Sequence, residues 1–159
     1  AVPGTEQLLY RSGASACLAR PPERLGGGRV SDRRPDRVYG IIVRDGRVFL
    51  CRYGDRVGPP GGIFRPMAED RKAEVRAHIL DQLGIMCRAV WAQGAFIYHH
   101  PIEEIPQFSG FYTVWTWDGD IPADAGEWLD AGQIAEADIE AGLRVLLLSI
   151  ATTQAVDTR

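Results

Sequence analysis

The chain has 159 residues, enough to bury one core and little more. Hydrophobic residues make up 45% and charged residues 25%, the composition of an ordinary soluble globular protein. A formal charge of -3 built from mixed signs excludes a dedicated nucleic-acid surface, and no apolar run reaches membrane length.

Residues 1–36 differ from the rest. Pro3, Gly4, Gly13, Pro21, Pro22, the triplet Gly26-Gly27-Gly28 and Pro35 interrupt short apolar pieces such as Leu8-Leu9-Tyr10. This segment reads as an N-terminal arm, irregular apart from one added edge strand at most. Arg29, Arg33, Arg34 and Arg37 are interleaved with Asp32 and Asp36, which makes them a solvated linker rather than a phosphate patch. The chain opens on Ala1, as a trimmed chain or a piece of a longer one would, and its first residues lack a signal-peptide core. Cys17, Cys51 and Cys87 are odd in number and widely spaced, so free thiols in a reducing compartment, the cytoplasm, are expected.

From Arg37 the pattern sharpens into a domain over residues 37–152, with 153–159 as a tail. Val38–Arg44 and Arg47–Arg52 are β-rich runs around Asp45-Gly46, a two-residue hairpin turn. The last five residues of Tyr53–Gly62 are all glycine or proline, and the stretch is expected to be an irregular loop. A helix is predicted over Ala68–Leu83, because Val75, Ile79 and Leu83 recur on one face and Gly84 is a good stop. Two β segments follow, Cys87–Gln93 and Ala95–Tyr98. A loop over His99–Phe108 leads to a β-prone run, Gly110–Trp117, closed by the turn Asp118-Gly119. The last predicted element is a helix over Ala135–Thr152, with Ile139, Leu143, Leu146 and Leu147 as its apolar stripe. Periodicity alone supports a mixed α/β domain.

Pro60-Gly61-Gly62, followed by a helix ending on Leu83-Gly84-Ile85, resembles the Nudix box: a Gly, five residues, a Glu, seven residues, then Arg-Glu-aliphatic-x-Glu-Glu-x-Gly-aliphatic. The preceding hairpin fits, as does the late Trp128-Leu129 before a short helical stretch, Asp130–Ile134. The resemblance spans roughly residues 36–150 and implies a Nudix-type α/β/α sandwich with a mixed β-sheet. Two registers compete. Counting forward from Gly62 puts Arg76 on the motif Arg but His78 on a buried aliphatic site, where an unpartnered imidazole would cost about 1–3 kcal/mol. Counting back from Gly84-Ile85 puts Glu69 on the first Glu and Ile79 on the aliphatic position, at the expense of one extra loop residue, which costs far less.

In the second register the box is degenerate. Ala77 replaces the Arg, and His78, Asp81 and Gln82 replace the three helix carboxylates. The family's chemistry is metal-assisted attack of water on a nucleoside diphosphate linked to another group. It needs several anionic oxygens around Mg²⁺ or Mn²⁺, because hard cations are held by carboxylates and neutralise the phosphate oxygens. The resemblance implies metal contacts at Asp81 and Gln82. Separately, helical spacing puts Glu74, His78 and Asp81 on one face, read either as a transition-metal site with Glu74 as a ligand or as a solvated face with an ordinary i, i+4 pair. His78 is the candidate base, Glu69 braces the loop, and Glu103 or Glu104 supplies a late carboxylate. Gly61, Gly62, Phe64 and Arg65 would line the substrate cleft, Arg65 as a phosphate partner. His99 and His100 are adjacent and point apart in an extended chain, so they are read as structural. Trp91, Trp115, Trp117 and Trp128 are read mainly as core or sheet-face residues, with base stacking as the rival use.

Three readings stand side by side. The first is a divergent pyrophosphohydrolase of weak or altered activity; the second is a catalytically silent Nudix-fold module that binds a nucleotide-like small molecule or a protein partner. The third is an unrelated α/β binding module. No membrane association is expected, and a homodimer is compatible with all three.

Overall fold

The computed structural model describes residues 34–157, with side chains to residue 153. The expected arm, its edge strand and Cys17 lie outside the described residues, apart from Arg34–Asp36.

Strands β1 (Arg37–Arg44) and β2 (Arg47–Tyr53) form the expected hairpin. Its turn residues Asp45 and Gly46 both take positive φ, 52° and 74°, which the right-handed strand twist favours. The stretch expected to be irregular instead carries two short strands, β3 (Arg56–Gly58) and β4 (Gly61–Ile63). β3 turns back on β2 through Gly54, and β4 pairs antiparallel with β1. Local glycine content argued against strand here, and pairing with an already formed hairpin overrode it.

Helix α1 spans Arg71–Leu83, starting three residues later than expected because the Asp70 side chain accepts from the Lys72 and Ala73 amides as N-cap. Gly84 ends it in the left-handed region. The two β segments predicted next are one strand, β5 (Met86–Tyr98), whose register with β6 (Gln107–Asp118) slips between Ala92 and Gly94. That bulge is what the glycine signalled; it bends the strand without ending it. β7 (Gly126–Leu129) was not anticipated as a strand; it carries Trp128-Leu129 and pairs with β2.

The predicted terminal helix is two helices. α2 (Ala131–Glu136) is closed at its start by a capping box between Asp130 and Gln133, and α3 spans Ala141–Asp157. Between them the chain turns extended at Ala137, Ile139 enters the core, and the Arg144 guanidinium donates to the Ala137 and Ile139 carbonyls. The break is tertiary, and the helical period continues across it.

Among the described residues one mixed sheet runs β3-β2-β1-β6-β5, with β1 and β6 parallel and the other neighbours antiparallel. Strand alternation divides the core in two. Tyr39, Ile41, Val43, Val48, Leu50 and Phe111 meet α2 and α3 through Ile134, Leu143, Leu147 and Ile150. Val38, Ile42, Phe49, Cys51, Tyr112 and Val114 meet α1 through Val75, Ile79 and Leu83. The result is the expected α/β/α sandwich. No helix of the described residues is long and apolar enough to cross a membrane.

Candidate functional site

The apolar stripe of α1, residues 75, 79 and 83, lies on the sheet. One residue back, about 100° around the helix, runs a second stripe at the same spacing: Glu74, His78 and Gln82. It faces β4 and the residues just after it, and each member bonds to them.

The Gln82 amide spans one residue, its Nε2 donating to the Gly61 carbonyl at 2.7 Å and its Oε1 accepting from the Gly61 amide at 3.1 Å. His78 Nε2 donates to the Ile63 carbonyl at 2.9 Å, since a carbonyl can only accept. Glu74 accepts from the Arg65 amide at 3.1 Å, and the Arg65 Nε lies 3.0 Å from both carboxylate oxygens. Residues 61, 63 and 65 thus meet residues 82, 78 and 74, running in opposite directions. The match is geometric. Two residues of extended chain advance about 6.6 Å, and four residues of helix about 6 Å, so the two ladders stay in step over three rungs.

The glycines permit the close approach. Gly61 has φ 156°, and a Cβ there would lie 2.1 Å from the Val38 carbonyl oxygen. A Cβ on Gly62 would lie 2.8 Å from the His78 ring. Phe64, the residue pointing the other way, is buried against the α1 core.

These positions correct several expectations. Phe64, expected in the substrate cleft, is buried in the core beside α1. The loop brace assigned to Glu69 belongs to Glu74: Glu69 is exposed just before the N-cap of α1, in an open depression of about 500 Å³ shared with Asp70, Arg71, Lys72, Ala92 and Tyr112. Arg65, expected on a phosphate, has an exposed side chain that is engaged with Glu74. Glu74 is buried, and its hydrogen bonds from Arg65 hold it below the usual carboxylate range despite the opposing effect of burial. Asp81 is exposed beside the stripe and bonds to none of the loop residues. Glu103 pairs with Arg37 at 3.0 Å, and Glu104 is exposed. Among the described residues, no group of three or more His, Cys, Asp or Glu side chains is arranged to hold a metal ion.

The histidines part company, as adjacent extended residues should. His100 is 1% exposed, lies parallel to the Tyr39 ring with centroids 4.9 Å apart, and meets the edges of Tyr53 and Tyr98. Its Nε2 donates to the Pro59 carbonyl at 3.0 Å and its Nδ1 accepts from the Ile102 amide at 3.3 Å, so both nitrogens are used by a neutral ring. Burial lowers its pKa. His99 Nε2 donates to the Glu103 carbonyl at 2.7 Å. Cys51 and Cys87 are free and buried in the sheet, where desolvation pushes both thiols up to about 11. Trp115, Trp117 and Trp128 are partly buried, Trp117 and Trp128 stacking beneath the Arg44 guanidinium, whereas Trp91 is exposed near Lys72.

The stripe was half legible. The spacing of 74, 78 and 82 marks one face, but nothing local says that the face meets backbone rather than solvent.

Hairpin, double-glycine strand, helix and mixed sheet give the chain the fold of solved Nudix hydrolases. The MutT Nudix hydrolase of Burkholderia pseudomallei superimposes with a TM-score of 0.56 at 20% identity, over 70% of this chain and 93% of that one. A MutT protein from Bacillus halodurans gives 0.60 at 16% identity, over 74% of this chain and 82% of that one. A UDP-X diphosphatase gives 0.57 at 14% identity, over 74% of this chain and 62% of that one. No protein-family model and no curated protein sequence matches. The chain therefore has the Nudix fold, carried by a sequence far from the solved examples.

Proposed function

We propose that this chain is a Nudix-superfamily protein whose metal-dependent hydrolysis is silent or residual, and which binds a nucleotide-like ligand. The observation that carries the reading is the pairing of Glu74, His78 and Gln82 with residues 61–65. Mg²⁺ and Mn²⁺ require several anionic oxygens in one place. Here the Gln82 carbonyl is taken by the Gly61 amide, the Glu74 carboxylate by Arg65, and His78 Nε2 carries its proton on the Ile63 carbonyl. Asp81 remains as a lone exposed carboxylate. The residues present do not fit a divalent cation at the motif.

The ligand class rests on fold analogy with solved Nudix hydrolases and a UDP-X diphosphatase. Thermal melting tests both halves, since a ligand of the folded state raises its stability by RT ln(1 + [L]/Kd). Nucleoside diphosphates and nucleotide sugars are expected to raise Tm without metal, and millimolar MgCl2 or MnCl2 alone to leave it unchanged. Metal-dependent release of phosphate or mononucleotide from such compounds, lost in Asp81→Ala, would overturn this reading in favour of a divergent hydrolase.

A further inference from the structure

Two backbone carbonyls, of Gly61 and Ile63, are aimed at α1 at two of the three positions where the box resemblance calls for carboxylates. Carboxylates at 78 and 82 would face these carbonyls oxygen to oxygen, and an oxygen-lined gap of that kind is stable only with a cation inside it. In this chain both positions carry a side chain with an N–H instead. We propose that Gln82 and His78 stand in for a bound cation, as positioning residues that fix the double-glycine strand with their own donors.

Gln82 satisfies both polar groups of Gly61 at once, which a carboxylate cannot do: an ionised Glu accepts only. The Gly61 amide would still find an acceptor, but the Gly61 carbonyl would be left facing negative charge. His78 acts likewise on Ile63, with its ring seated over the space that a Cβ at Gly62 would fill. The third rung is already complete without metal, because Arg65 brings its own positive charge to Glu74. All three contacts thus pair a donor on one side with an acceptor on the other. The strand needs no divalent ion to hold its shape, and one substitution should make it need one.

This inference rests on the silent-site reading, yet the two fail separately: hydrolysis by the wild-type chain would sink that reading, whereas the following melts address only the contact with the strand. Tm is measured for the full chain, for Gln82→Glu and for Gln82→Glu combined with His78→Glu, each in EDTA and in millimolar MgCl2. The expected result is a wild-type Tm indifferent to MgCl2, and a lower Tm in EDTA for Q82E that MgCl2 raises. The double variant should show a larger metal-dependent rise. A structural role of any other kind would lower Tm without creating dependence on the ion. A Q82E Tm in EDTA equal to wild type, or a MgCl2 response no greater than that of wild type, would overturn the proposal. Should Q82E remain unfolded in both buffers, His78→Glu decides by the same criterion: a Tm lowered in EDTA that MgCl2 raises supports the proposal, and a Tm that MgCl2 does not raise overturns it.

Discussion

The two long helices that cover the sheet, α1 and α3, are attached by different physics. α3 lies on its face through Leu143, Leu147, Ile150 and Ala151, all buried and all apolar. α1 has a comparable apolar stripe but adds the polar stripe beside it, through which it grips β4 and the residues after it. Apolar packing is non-directional and tolerates exchange of similar volumes. The polar rungs specify which backbone atom meets which side chain, and so fix the path of the double-glycine strand. In this molecule the face richest in chemistry-bearing residues is therefore the one where those residues are spent on structure.

The largest expected effect lies on the apolar side. Leu147 is fully buried among Leu143, Ile41 and their neighbours, so Leu147→Ala should cost about 2–5 kcal/mol, read from urea denaturation with an unchanged m-value. A loss below 1 kcal/mol, roughly the range of surface changes, would mean that α3 is not seated as described. Next comes Gln82→Ala. Gln82 is exposed, and an exposed helical Gln replaced by a better helix former should change little. If its two bonds to Gly61 hold, the same substitution instead costs about 1–2 kcal/mol, because a buried amide and carbonyl lose their partner.

The smallest effect comes from His100. Its folded pKa is lowered, first by burial, so the unfolded chain takes up a proton near pH 6.5 while the folded chain does not. The sign follows from linkage. Stability is fully present above about pH 6.5 and falls as the pH drops towards the folded value, by at most about 1.4 kcal/mol per pH unit from this group. Urea midpoints at a few pH values between 7.5 and 5.5 should show a decline that is shallower in His100→Phe. An equal decline in both proteins would remove His100 from the account.

The sequence carried the fold well where elements are long and periodic. The β1–β2 hairpin, α1 and β6 were legible because strand and helix periods and one Asp-Gly turn all pointed the same way. It failed at β3, β4 and β7, strands of three or four residues that exist because a neighbour offers unpaired backbone, and at the α2–α3 break, which Ile139 and Arg144 make by tertiary contact. The site was legible in its members and not in their partners. Glu74, His78 and Gln82 were singled out from motif and spacing, but a carboxylate bound to an ion, to solvent or to an arginine nine residues away looks the same in one dimension. Glu69 and Phe64 were assigned by position in a motif, whereas the structure buries Phe64 in the core and has Glu74, not Glu69, holding Arg65.

Amide hydrogen exchange at Gly61 and Arg65 tests the polar stripe most directly, since each amide donates to a side chain of α1, Gln82 and Glu74 respectively. Both amides should be protected from exchange in protein stripped of metal with EDTA, and MgCl2 should leave their rates unchanged. Rapid exchange of both in EDTA, slowed by added MgCl2, would show instead that a cation orders the strand, and that α1 holds a working metal face.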